Sequence, residues 1–211
     1  MGKKLSITEK ITNELRLELI DGVYYADAIL TEQQISAKYG CSKTPARETL
    51  GILCSEGLLE KLPNKGYLIK RYTMKELENL LEYRSILERA IVSLAMERAS
   101  VADISRVEML CDKTDALSHE EIDKQCVMLN REFHIELAKL SKNRYLVTSI
   151  ANVMDQVRVA MAFDRSRERL MAGHREILAM IKRHDSQGAE QWTNRFMKYF
   201  PNNLVGRFLD E

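Results

Sequence analysis

Apolar residues recur every three or four positions along most of the chain, which is the period of a helix that buries one face. In the first 72 residues this pattern predicts three helices, and two short apolar runs on either side of Pro63 predict a β-hairpin. Beyond residue 73 the pattern is helical and contains one proline, Pro201. The helices predicted there are 74–99, 103–118, 120–141, 144–163, 166–184 and 187–209. The predicted fold class is therefore mostly α, an all-helical bundle preceded by a small module with a β-hairpin.

The second and third helices lie close together in the sequence, and local signals mark their ends. Thr31 followed by Gln34 is typical of a capping box at the start of the second helix. Gly40 ends that helix. Ser42 is placed to cap the third helix, with Pro45 in its first turn, where a missing backbone donor costs little. The chain is therefore expected to turn sharply between two helices, as it does in a helix-turn-helix.

Length and charge refine this picture. The 211 residues, 45% of them hydrophobic, leave room for two small domains, predicted at 1–72 and 73–211. A net charge of +1 excludes a polycation of the histone kind. Positive charge is nevertheless grouped, because residues 33–47 contain three basic side chains and no acid, and residues 61–71 contain four and no acid. Nucleic-acid binding is therefore expected only in the first domain.

Cysteine usage and hydropathy indicate a compartment. The four cysteines form no CxxC pair, and the first residues lack the apolar core of a signal peptide. No apolar run approaches the roughly 18 residues that a membrane-spanning helix needs. These features predict reduced thiols in a soluble cytoplasmic protein without a membrane partner.

The third helix has a basic face beside its apolar face. At about 100° per residue, Lys43, Thr44 and Arg47 share one sector, and the apolar residues fill the adjacent one. The start of such a helix can enter the major groove, where arginine bonds two acceptors of guanine. Lys65 and Gly66 at the hairpin tip suit a DNA-binding wing, since lysine neutralises a phosphate and glycine allows close approach. The alternative is a pair of helices with a solvated charged face.

Three segments resemble the GntR family of bacterial transcription regulators. They are Leu30–Leu50, which contains Gly-Cys-Ser-Lys-Thr-Pro-Ala-Arg-Glu-Thr-Leu, then Glu-Gly-Leu-Leu at 56–59, and Pro-Asn-Lys-Gly-Tyr at 63–67. The resemblance implies a winged helix-turn-helix. With the wing lysine and the proline of the first helical turn included, the predicted DNA-binding residues are Gln33, Lys43, Thr44, Pro45, Arg47, Lys65 and Gly66. Gln33 and Lys43 stand where the family commonly has arginine, so both positions lack a guanidinium group that could form two parallel hydrogen bonds.

Polar residues also interrupt the apolar faces of the second part. Arg84 and Glu88 share the apolar face of its first helix, either as a self-satisfying i, i+4 pair or with the arginine clamping a ligand carboxylate. His134 follows Asn130 by one turn, and apolar residues surround His174 at helical spacings. Inward histidines are more often hydrogen-bonded core residues than ligands.

These positions resemble the FCD (FadR C-terminal domain) branch of the GntR regulators. In that branch an Asp-x-x-x-His pair and two later histidines often hold a divalent metal, such as Zn or Ni, that helps to bind a small organic acid. Asn130, His134 and His174 match three of these ligands, with asparagine in place of aspartate, whereas the fourth position falls on Phe196. Because this set is short of donors, a metal-free effector site of Arg84, Asn130, His134 and His174 is the preferred interpretation.

Together these features predict a ligand-responsive transcription regulator that acts as a repressor. No enzymatic activity is expected. The expected partners are a double-stranded DNA operator, a carboxylate effector and a second copy in a homodimer. One alternative is a metal-dependent or general-base enzyme that uses His134 and His174. Against it stand the missing fourth ligand and the lack of an evident inward carboxylate beside those histidines. The other alternative is a helical interaction protein whose basic patch only solubilises it.

Overall fold

The computed structural model describes residues 5–25, 27–160 and 173–193, which fall into two compact units. The elements in chain order are α1 (Ile7–Ile20), β1 (Ile29–Leu30), α2 (Glu32–Tyr39), α3 (Lys43–Ser55), β2 (Leu59–Leu62), β3 (Gly66–Ile69), α4 (Met74–Arg98), α5 (Val101–Asp115), α6 (His119–Leu140), α7 (Arg144–Ala160) and α8 (His174–Arg183). The mostly helical fold class with a β-hairpin is confirmed. Residues 186–193 are helical as well, and the remainder of the helix predicted over 187–209 lies outside the described residues.

Helix α3 forms the centre of the first unit, since it contacts α1, α2 and β2. Its apolar side is completely buried, as the helical spacing predicted, at Ala46, Leu50 and Leu53. The capping box at Thr31 is present, and Gly40 ends α2 in the left-handed conformation. Ser42 occupies the N-cap position of α3, but its side chain makes no capping hydrogen bond, so the predicted cap is correct in place and wrong in mechanism.

The predicted hairpin is joined by a third strand that the sequence pattern did not indicate. The sheet order is β1-β3-β2, both pairs are antiparallel, and Leu30 of β1 pairs with Tyr67 of β3. Gly66 lies at φ 125°, and a Cβ atom there would come within 2.6 Å of the Leu30 carbonyl oxygen. Glycine at this position is therefore required by the approach of β1, independently of any contact with DNA.

The end of α7, residues 155–160, belongs to the first unit. The Gln156 side chain donates to the carbonyl oxygen of Glu56 at 2.9 Å, and Arg158 Nε donates to that of Ile20 at 3.1 Å. Both carbonyls lie at helix C-termini, where backbone acceptors lack partners within their own helix. Side chains of α7 therefore satisfy the ends of α3 and α1, and the boundary at residue 72 remains a prediction.

The second unit is helical wherever it is described. Helix α6 contacts α4 and α5, and α8 contacts the same two helices. Fully buried apolar residues from these helices form its core: Leu77, Ile91, Phe133, Leu137 and Ile177. No helix in the described ranges is long and apolar enough to cross a membrane.

Several helix boundaries in this unit differ from the predicted ones, and two of these differences have a clear local cause. Ser100 caps α5 through a capping box with Asp103, so the helix begins at Val101 and not at 103. Gly173 has φ 90° and precedes α8, so the helix predicted over 166–184 is not continuous there. Left-handed glycine interrupts a helix, and the apolar spacing alone did not reveal the interruption.

Candidate nucleic-acid interface and buried polar cluster

The basic face predicted on α3 is exposed to solvent. Lys43, Thr44 and Arg47 are all exposed, and so is Gln33 on α2, whereas Pro45 is half-buried in the first turn of α3. The helix therefore presents two cations and a hydroxyl to solvent beside its apolar face. Cationic donors at the start of an exposed helix suit contacts to phosphates and to base edges in the major groove.

Arg47 is held by a carboxylate that the charge pattern overlooked. Its Nε and Nη2 atoms donate to the two carboxylate oxygens of Glu32 at 2.8 and 2.9 Å. These hydrogen bonds hold the pKa of Glu32 below its ordinary value. Glu32 immediately precedes the acid-free stretch and lies 15 residues before Arg47, so nothing local in the sequence indicated the pair. Glu32 thus orients the fork of Arg47 and competes with any acceptor on DNA.

The hairpin tip is also cationic. Lys65 is exposed in the β2–β3 turn, after Asn64 in the left-handed region at φ 61°. Lys61 on β2 is exposed too, with its Nζ atom 5.9 Å from the ring centroid of Tyr67. The two lysines give the wing a positive surface without a backbone contact to DNA being required at Gly66. A wing of this kind can neutralise phosphates.

In the second unit, an ion pair and a histidine meet inside the core. Arg84 Nε donates to Glu88 Oε1 at 2.8 Å, and Arg84 Nη2 donates to His134 Nε2 at 3.0 Å. His134 Nδ1 lies 3.1 Å from the same Glu88 oxygen, without hydrogen-bond alignment. All three residues are 2% exposed. Arg84 and Glu88 form the i, i+4 ion pair that their spacing predicted, and His134 is part of the same arrangement.

Asn130 and His174 complete this buried polar cluster, which consists of Arg84, Glu88, Asn130, His134 and His174. His174 Nε2 lies 3.1 Å from Asn130 Oδ1, as a hydrogen bond between α8 and α6. The His174 ring stacks on Phe133 with centroids 3.7 Å apart and meets the His134 ring edge-on at 5.4 Å. The structure therefore brings together all four residues that the sequence suggested for an effector site.

The cluster has the wrong electrostatics for protonated histidines. Burial, followed by the nearby Arg84 charge, holds the pKa of His134 well below its ordinary value. Burial also lowers the pKa of His174, with smaller contributions from His134 and Arg84. Both rings are therefore neutral at neutral pH. Because His134 Nε2 accepts from Arg84, its proton is assigned to Nδ1.

Glu88 is the residue of the cluster that the argument against catalysis missed. The sequence indicated no inward carboxylate beside the histidines, and that expectation is wrong, since Glu88 Oε1 lies 3.1 Å from His134 Nδ1. The available signal was the position of Glu88 on the apolar face of α4, one turn after Arg84. Its Oε1 atom already accepts a hydrogen bond from Arg84 Nε, so the presence of Glu88 alone does not create a general base.

The cluster does not fit a divalent metal. His134 Nε2, an atom that would have to bind the ion, faces the Arg84 guanidinium, and His174 Nε2 faces Asn130. An ion at this point would lie beside the buried Arg84 charge, and its donors would be two neutral imidazoles, one neutral amide and a Glu88 carboxylate that already accepts from Arg84. No group of three His, Cys, Asp or Glu residues with metal-binding geometry occurs in the described ranges. Phe196, matched to the fourth ligand, lies outside them.

A cavity of about 130 Å³ opens at His174. Its lining includes Cys111 and Thr114 of α5, and Gly173 and Arg175 around the start of α8. Arg175 at its edge binds Asp112 and Asp115 with N–O distances of 2.7 and 2.5 Å. The cavity can admit a small molecule to one side of the cluster, between α5 and α8.

The chain matches two family models that together cover most of its length. The model described as "Bacterial regulatory proteins, gntR family" matches residues 7–69, and the FCD domain model matches residues 79–199. The Nta operon transcriptional regulator of Aminobacter aminovorans is 31% identical over 141 residues, 67% of each chain. The HTH-type transcriptional regulator YdhC of Bacillus subtilis is 26% identical over 184 residues, 85% of this chain and 82% of YdhC.

Solved structures show the same fold. Escherichia coli McbR/YncC superposes with a TM-score of 0.74 at 21% identity, covering 97% of this chain and 100% of that one. A GntR transcriptional regulator from Rhodococcus sp. RHA1 gives a TM-score of 0.78 at 21% identity, covering 96% and 99%. The two family models and the sequence relatives, together with the cationic helix-turn-helix, establish that the chain belongs to the gntR family with an FCD domain, and is a DNA-binding transcription regulator and not an enzyme.

Proposed function

We propose that this regulator is a homodimeric repressor that leaves its operator when a small organic acid binds in the buried polar cluster. The observation that carries the proposal is the cluster itself. A buried ion pair is seldom the most stable way to fill a core, because desolvation offsets much of its attraction. Polar groups kept in such a place despite that cost are candidates for ligand binding.

On the DNA side, two copies would place two α3 helices in successive major grooves of a palindromic operator. In each copy Arg47 would bond a guanine, with Lys43, Thr44 and Gln33 at neighbouring bases and phosphates. Lys65 of the wing would neutralise a phosphate. A dimer is favoured because one module of this size binds DNA too weakly to select an operator among competing sites.

On the effector side, Arg84 would supply the positive charge for a carboxylate, and Asn130, His134 and His174 would supply hydrogen bonds. No metal is needed in this arrangement, because the guanidinium provides the positive charge. The effector would change operator affinity through linked equilibria between the two binding events. The Gluconate operon transcriptional repressor of Bacillus subtilis, 25% identical over 128 residues, is named for an operon of an organic acid.

The test starts with an operator selected from random duplex DNA by the full-length protein. Fluorescence anisotropy then follows operator binding with acetate, lactate, malate, citrate, gluconate, alanine, aspartate, glutamate or leucine present. At least one acid should weaken binding tenfold or more. Asn130→Ala, which removes the partner of His174, should lose this response and keep operator affinity, whereas Gln125→Ala on the exposed side of α6 should behave as wild type. Unchanged affinity with every acid would contradict the sensing role.

A further inference from the structure

Two atoms of the buried polar cluster have no hydrogen-bond partner among the described residues, Glu88 Oε2 and His134 Nδ1. Glu88 Oε1 accepts from Arg84, but Glu88 Oε2 is buried and receives no hydrogen bond from the described residues. A buried carboxylate oxygen without a donor is costly, and native proteins rarely leave one in this state. Glu88 is 2% exposed, so bulk water does not reach it freely. The working form of the site therefore requires a donor at this oxygen.

His134 does not supply that donor. Its Nε2 atom accepts from Arg84, which places the ring proton on Nδ1. Nδ1 lies 3.1 Å from Oε1 of Glu88, yet it too has no aligned partner within the described ranges. One acceptor and one donor are thus left over, on two side chains in contact. A group that fills both positions must carry a donor for Glu88 and an acceptor for His134.

Charge selects among the groups that could do so. Arg84 and Glu88 cancel each other, and the remaining members of the cluster are an amide and two neutral rings. A plain carboxylate would bring a second anion next to Glu88, whose oxygen already occupies Arg84 Nε at 2.8 Å. A ligand with one positive and one negative group adds no net charge. Its ammonium can neutralise Glu88 while its carboxylate takes up the guanidinium.

We propose that the effector is a small zwitterion with the ammonium and carboxylate close together, as in an α-amino acid, and that Glu88 binds its ammonium through Oε2. This inference rests on the proposed effector site and narrows its ligand class. The contact between Arg84 and Glu88 sets their charges side by side, which matches a ligand whose two charges are separated by a single carbon.

The test compares matched acids that differ only at the carbon next to the carboxylate. The sets are alanine, lactate and propionate; aspartate, malate and succinate; glutamate, 2-hydroxyglutarate and glutarate; and leucine, 2-hydroxyisocaproate and 4-methylvalerate. Isothermal titration and thermal shift on the full-length protein should show at least one amino acid binding tenfold or more tighter than both partners. If no amino acid binds, or if each binds no tighter than its partners, the inference is wrong.

A substitution then assigns the preference to Glu88. Glu88→Gln should weaken the preferred amino acid tenfold or more and change its two partners less than threefold, while Glu88→Asp should keep the preference. Equal losses for all three compounds in Glu88→Gln would contradict the ammonium contact. If Glu88→Gln fails to fold, the comparison of matched acids on the wild-type protein still tests whether the effector is a zwitterion.

Operator binding, followed in parallel, separates this inference from the proposed function. If an amino acid binds with the expected preference but operator affinity does not change, the ammonium contact at Glu88 is supported and the sensing role is wrong. If only hydroxy acids or plain acids release the operator, the sensing role is supported and the proposal of a zwitterionic effector is wrong.

Discussion

The two units contain the same ion pair in opposite surroundings. In the first unit Arg47 binds Glu32 with N–O distances of 2.8 and 2.9 Å, and the two side chains are 65% and 25% exposed. In the second unit Arg84 binds Glu88 at 2.8 Å, and the side chains are 2% and 3% exposed. The geometry at Nε is equivalent, but Arg47 bonds both carboxylate oxygens of Glu32, whereas the Nη2 atom of Arg84 donates to His134. The larger difference between the two pairs is their exposure.

Exposure decides what each pair can do. A solvent-exposed pair contributes about 0–1 kcal/mol, so a guanine or a phosphate can take the place of Glu32 at little cost. The buried pair cannot separate without leaving a charge in the core, so a ligand must replace what it removes. The first pair is therefore an exchangeable contact at the DNA-binding surface, and the second is a fixed part of a binding site.

Removing one partner of the buried pair gives the largest expected effect. Glu88→Ala leaves the Arg84 guanidinium in the core without its carboxylate and should lower the free energy of unfolding by about 3–5 kcal/mol. The double variant Arg84→Met with Glu88→Leu, which removes both charges, should regain most of this loss. Urea unfolding measures both. The matched exposed variant Glu32→Ala should cost less than about 1 kcal/mol; a similar loss at both sites would contradict the comparison.

Arg47→Ala should disrupt DNA binding and leave stability unchanged. Loss of a bidentate contact to guanine should weaken operator binding by about 1–3 kcal/mol for each α3 helix. Thermal unfolding should move little, because the side chain is mostly exposed. Arg106→Ala is the matched control, since Arg106 is also 65% exposed and faces Asp103. Operator affinity that survives Arg47→Ala but not Arg106→Ala would show that α3 is not the recognition helix.

Acid should destabilise the second unit through its two neutral histidines. Burial depresses the pKa of His134 and of His174, whereas the same rings in the unfolded chain take up protons below about pH 6.5. Stability from this source is complete above pH 6.5 and falls as the pH drops, by about 1.4 kcal/mol per pH unit for each ring. Urea unfolding from pH 7.5 to 5 measures the slope. His174→Gln should reduce it, and His184→Asn, at the exposed end of α8, should not.

Glu32→Gln should have the smallest effect and act on selectivity. Removing the carboxylate frees the Arg47 fork from its fixed orientation and removes a negative charge from the DNA-binding surface. Affinity for random duplex DNA should rise by less than about 1 kcal/mol, while the preference for the operator should fall. Salt titrations of both duplexes provide the measurement. A rise in operator preference would mean that Glu32 only competes with DNA and does not orient Arg47.

The sequence predicted the features that depend on local spacing. The apolar and basic faces of α3 follow from 100° per residue, and the capping box at Thr31 from residues three apart. Burial of Arg84 and Glu88 as a pair follows from their i, i+4 spacing on an apolar face. Such features need no knowledge of distant parts of the chain.

The features that escaped prediction depend on contacts between distant residues. The two-residue strand β1 exists only because it pairs with β3 nearly 40 positions later, and too few residues form it to show an alternating pattern. The Glu32–Arg47 pair links two helices, and the attachment of residues 155–160 to the first unit links segments about 100 positions apart. In each case tertiary structure supplied the partner.

The most direct test of the second unit is its metal content. If the Arg84 guanidinium provides the positive charge that a divalent ion would otherwise supply, the purified protein titrated with Zn²⁺ and with Ni²⁺ should show no stoichiometric uptake by calorimetry or native mass spectrometry. Uptake of one ion per chain that is abolished by His134→Ala or His174→Ala would contradict this account and make the cluster a metal site.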